Sequence, residues 1–199
     1  MIRRLSALAL LPVLAVATAC SQPAAQGDWT LDAEASQLNF VSIKSGDIAE
    51  VHHFSGLSGS VSEDGTAELV IDLATVETGI VIRNERMREH LFQTDTYPQA
   101  RLTAEIDLAA LYDLAPGDQT ELTLDGVLDL HGVQLPISAD VLVSDLNGSR
   151  VIVSTQGPVM IHAEDFNLQA GLDTLQDLAG LPSITPAVPV TATLVFQRD

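Results

Sequence analysis

Alternation of apolar and polar residues runs through most of this chain and leaves it few folds to choose from. Ala67, Leu69, Ile71 and Leu73 fall on one side of an extended segment, with Glu68, Val70 and Asp72 on the other. The pattern returns at Leu102, Ala104, Ile106 and Leu108, at Leu122 to Leu130, at Leu135 to Val143, and at Val190 to Phe196. Neighbouring side chains on an extended backbone point to opposite faces, so each run predicts a strand with one greasy side. Trp29 to Asp32 reads as a short opening strand, and Gln37 to Lys44 as a strand covered on both faces. Arg150 to Thr155 and Val159 to His162 are further short strands. Turn signals stand between the runs: Asp64-Gly65, Pro116-Gly117-Asp118, His131-Gly132 and Asn147-Gly148. Roughly eight to ten strands joined by short turns fit a closed antiparallel barrel or a sandwich, and alternation alone does not separate the two.

One stretch breaks the pattern. Residues 82–92 take a helical period, with Met87 and Leu91 on one stripe, Arg83 and His90 beside it, and Arg86 and Arg88 near its margins. Glu85 and Glu89 point the other way. An apolar stripe edged by cations suits the mouth of a greasy site that holds an anionic head. The plain alternative is a surface helix held by Glu85–Arg88 and Arg86–Glu89 pairs, each contributing a few tenths of a kcal/mol. A second short helix is expected near residues 173–181, before Pro182.

Residues 1–19 read as an export signal, with basic Arg3 and Arg4 followed by an apolar run too short to span a bilayer. Ala17-Thr18-Ala19-Cys20 resembles a bacterial lipobox, and Cys20 is the only cysteine. Acylation of Cys20 accounts for a lone thiol in an oxidising compartment, giving a protein anchored to a membrane by lipid alone. Cleavage to a soluble product is the alternative. Residues 20–27 suit a spacer, and residues 28–199 form one domain with no internal repeat. The formal charge is −18, and −20 once Arg3 and Arg4 are removed with the signal. Such a chain repels nucleic acid.

Catalytic patterns are missing: there is no nucleophile elbow, no P-loop and no H-E-x-x-H. His52 and His53 are adjacent, so on a strand they face opposite ways, and no metal or cofactor is expected.

Two segments carry a family resemblance. Thr78-Gly79, Arg83 to Phe92 and Tyr97-Pro98-Gln99-Ala100 form the first, and Leu128-Asp129-Leu130-His131-Gly132-Val133-Gln134-Leu135-Pro136-Ile137 the second. They resemble the YceI family of bacterial periplasmic proteins. Glu164-Asp165-Phe166 approximates a third element, although Ala163 and Asn167 stand where the family commonly has Arg and Gly. The resemblance implies an eight-stranded, lipocalin-like, closed antiparallel β-barrel that binds a polyisoprenoid or related fatty amphiphile.

An eight-stranded barrel has an interior wide enough for side chains or one ligand. Small inward residues (Ala104, Gly126, Ala139, Ala192) and few aromatics favour a hollow one. Phe40, Phe54, Met87 and Leu91 are the expected tail contacts, and Arg83, Arg86, Arg88 and His90 the expected head-group contacts. About fifteen buried carbons contribute on the order of 12 kcal/mol before ordering costs. The expectation is sequestration or transport of lipid in the periplasm, without catalysis, and a homodimer is left open. The alternatives are a stress or redox accessory module that binds a partner protein, and an isoprenoid-modifying enzyme using His90 with a carboxylate.

Overall fold

The computed structural model describes residues 28–112 and 114–198. The export signal, Cys20 and nearly all of the spacer lie outside the described residues. The strands are β1 (Trp29–Leu31), β2 (Gln37–Lys44), β3 (Ile48–Phe54), β4 (Leu57–Val61), β5 (Thr66–Asp72) and β6 (Val76–Glu77), then β7 (Gln99–Glu105), β8 (Gln119–Leu130), β9 (Val133–Asp145), β10 (Arg150–Thr155), β11 (Val159–His162) and β12 (Ala187–Gln197). Among the described residues three α-helices interrupt them, α1 (Val81–Arg86), α2 (Ala109–Tyr112) and α3 (Gln169–Ala179), beside short 3-10 and π segments.

Each strand lies antiparallel to the next, in the order β1-β4-β5-β7-β8-β9-β10-β12, and β12 returns to β1. That ring is the closed eight-stranded barrel the family resemblance implies. At the other end β2 continues β1 beyond residues 32–36, β3 carries on from β4 across residues 55–56, and β11 follows β10. Gly56 occupies the second break because a Cβ there would come within 2.7 Å of Thr75 Cγ2. The β8–β9 hairpin turns on two residues, His131 (φ 54°) and Gly132 (φ 77°), which takes its backbone through the left-handed region.

The helical excursion after β6 runs from Val81 and passes at Met87 into a wider π turn ending at Phe92. Gln93 stops it in the left-handed conformation, at the end of the expected segment 82–92. α3 begins four residues before the expected 173. It buries Gly171 and Leu172 against the π turn, whose own buried residues are Met87, Leu91 and Phe92. Together the two segments close one end of the barrel.

Candidate functional site

The inner faces of the strands pack together only in part. Leu102, Leu124, Ile137, Val153, Ala192 and Leu194 point inward yet keep part of their surface accessible. Side chains interlocked in a dry core would lose that surface. Two cavities occupy the space. The upper one measures about 670 Å³ and the lower about 230 Å³. Leu69, Leu102, Leu124, Val141, Val153 and Leu194 border both, so the two form one lumen with a waist.

The lower cavity is almost wholly apolar, with Thr155 and Thr191 its only polar lining among the described residues. An aromatic row lies along it: the Phe40 and Phe54 rings are 5.3 Å apart, and Phe54 and Phe92 5.7 Å. Met87 and Leu91 complete the wall on the helical side. The upper cavity opens to solvent, because exposed Glu105, Asp107 and Asn147 are among its lining residues. Trp29, Tyr112 and Arg198 also border it.

Of the residues singled out in the sequence, Phe40, Phe54, Met87 and Leu91 therefore come together around the lower cavity. The cations beside them on the helix do not. Arg83, Arg86, Arg88 and His90 line neither cavity. Arg83 donates to Glu50 Oε2 at 2.7 Å and to the Thr78 carbonyl at 2.6 Å. Arg86 donates to the Leu178 carbonyl and Arg88 to that of Ala74. His90 lies 3.8 Å from Glu89. The expected Glu85–Arg88 and Arg86–Glu89 pairs are not among the ion pairs formed by the described residues. Sequence reasoning passed over Trp29, Tyr112 and Arg198, whose one local signal was that Trp29 is the only tryptophan.

A polar knot sits on the β2–β3 hairpin beside the helix. Glu50 binds Lys44 and Arg83, each at 2.7 Å, and the Lys44 bond foremost holds its carboxyl below the usual range. The next inward residue of β3, His52, meets Ser42 Oγ at 2.9 Å through Nε2. Burial pushes the His52 imidazole below its ordinary pKa, and the neighbouring Arg83 charge adds to the effect. The Ser42–His52 pair borders neither cavity, and Nδ1 has no partner among the described residues. A nucleophile and base need both an orienting third group and access to substrate, and among the described residues this pair has neither. Among the described residues no cluster of three or more His, Cys, Asp or Glu could hold a metal ion.

A lumen of this kind, closed by a helical insertion after the sixth strand, can be compared with known proteins. The model of the YceI-like domain matches residues 29–196. The chain belongs to the YceI-like family. A polyisoprenoid-binding domain from Saccharophagus degradans, implicated in plant cell wall breakdown, superposes with a TM-score of 0.84 at 45% identity, covering 86% of this chain and 98% of that one. BcnA of Burkholderia cenocepacia gives a TM-score of 0.65 at 22% identity, over 83% of this chain and 98% of its own. The Campylobacter jejuni YceI protein gives 0.55 at 16% identity, over 74% of this chain and 84% of its own. These last two share the YceI-like fold. No curated protein matched the chain.

Proposed function

We propose that this YceI-like protein binds a long-chain, polyisoprenoid-type amphiphile in the lumen of its barrel and acts as a carrier or store rather than an enzyme. The observation that carries the reading is the lumen itself, whose aliphatic walls stay partly uncovered. The polyisoprenoid-binding domain at 45% identity supports the class of ligand. Cavities of about 300–1,000 Å³ are the usual size for small-molecule sites. An apolar tail leaving water for such walls gains about 0.8 kcal/mol per methylene, enough to hold it without any covalent step.

The same proposal puts the protein in the cell envelope, tethered through acylated Cys20. The chain enters the barrel at Trp29, which borders the upper cavity. An anchor a few residues upstream would keep that opening close to the bilayer from which lipid is drawn.

Solvent extraction of the full-length purified protein, followed by mass spectrometry of the extract, tests the binding. A stoichiometric isoprenoid or fatty species is expected. Protein that carries no lipid and takes up none from vesicles would overturn the proposal.

A further inference from the structure

Arg198 is the one Lys or Arg among the described residues that lines either cavity. It follows the last strand directly, and its place is fixed from three directions. Its backbone N–H donates to the Ser149 carbonyl at 3.0 Å. Nη2 donates to the Gly148 carbonyl at 2.7 Å. Its guanidinium carbon lies 4.5 Å from the centre of the Trp29 ring. A guanidinium offers five N–H donors, and Nη1 here is shut from water with no partner among the described residues. A buried donor left without an acceptor is unfavourable, so an acceptor that draws the group off the Trp29 face is favoured.

The two ends of the lumen differ sharply. At the helical end the basic side chains are engaged by Glu50 and by backbone carbonyls. The cavity they flank has two threonines as its polar lining. A ligand with one polar end therefore has one favourable orientation, tail toward Phe40, Phe54 and Phe92 and head toward Trp29. The upper rim also carries carboxylates: exposed Glu105 and Asp107, and buried Asp145, whose Oδ1 accepts from Gly148 N at 2.6 Å. Their field opposes a phosphate.

We propose that Arg198, drawn off the Trp29 face into the upper cavity, reads the head group of the bound amphiphile by donating a hydrogen bond to an uncharged acceptor oxygen, and so sets which way the lipid lies. This rests on the lipid-binding function proposed above and assigns its polar end to a site opposite the basic helix.

The test is competition on the full-length protein, displacing a neutral naphthylamine dye with phytol, phytyl phosphate and headless phytane. Wild type should favour phytol over phytane by roughly tenfold, the scale of one hydrogen bond to a charged donor, and should not prefer the phosphate. In Arg198→Met the phytol advantage should vanish while phytane binds as before, and Arg198→Lys should restore part of it. An unchanged preference for phytol in Arg198→Met overturns the inference and leaves lipid binding standing. So does an equal loss of all three ligands, which marks Arg198 as structural. Loss of phytol with Arg86→Met in its place puts the head at the helix. A tenfold preference for the phosphate overturns the uncharged head. Wild type that binds none of the three overturns the lipid-binding function and this inference together.

Discussion

Gly171 of α3 presses on the backbone of Leu91, so closely that a Cβ on Gly171 would stand 2.8 Å from Leu91 Cα. Leu91 belongs to the π turn that walls the lower cavity, and α3 lies across its back. The absent side chain is what lets two segments, joined through neither a strand pair nor an ion pair, close one end of a barrel. Gly171→Ala should separate them. Alanine gains about 1 kcal/mol in helix propensity, but the clash is with backbone and has no flexible neighbour to absorb it. A net loss of about 1–2 kcal/mol is expected from urea unfolding. Weaker retention of lower-cavity ligands should accompany it.

Asn84 fastens the start of the same insertion. Its Oδ1 accepts from Thr78 N at 3.0 Å and from Thr78 Oγ1 at 2.6 Å, and both residues are buried. Asn84→Leu keeps the volume but strands the Thr78 N–H away from water. The expected loss is about 1–3 kcal/mol, with faster hydrogen exchange at the Thr78 amide.

The strands were legible in the sequence because a period of two survives any arrangement of the sheet. Phe40, Phe54, Met87 and Leu91 were legible for the same reason, since an apolar stripe must face something apolar. The upper mouth was not. Trp29 and Arg198 lie at opposite ends of the chain and meet only because β12 closes on β1, with Thr30 opposite Gln197. Nor does a sequence show which acceptor a cation finds: Arg86 reaches a carbonyl on α3, 92 residues away. The helical wheel showed which face Arg83, Arg86 and Arg88 occupy. It did not show that Glu50 and nearby carbonyls engage them.

Acid should weaken the fold before it protonates the carboxylates. His52 and His131 both have pKa values pushed down by burial, with Arg83 adding to the effect at His52. Their neutral forms are favoured in the folded protein, so below about pH 6.5 the unfolded chain takes up more protons. Stability from this source is complete above about pH 6.5 and is lost as pH falls toward the folded-state values. Lys44, Arg83 and Glu50 are the charged groups around His52, and Glu50 is held ionised by its two cations. The urea midpoint should be lower at about pH 5 than at about pH 7.5, and His52→Gln should shrink the difference.

Filling the lumen separates a hollow barrel from a packed one. Ala139 points inward opposite Leu124, borders the lower cavity, and keeps part of its surface accessible. In a close-packed core, Ala139→Trp would force its neighbours off their rotamers and cost about 1–3 kcal/mol. Here the indole should enter empty space and bury its own apolar surface, leaving the melting temperature within about 4 °C of wild type or above it. Lipid recovered with the protein should fall by about tenfold, because the ring occupies the volume the tail requires. A variant that unfolds would show that the inner faces already touch. One that folds and still carries its full complement of lipid would show that the ligand lies elsewhere.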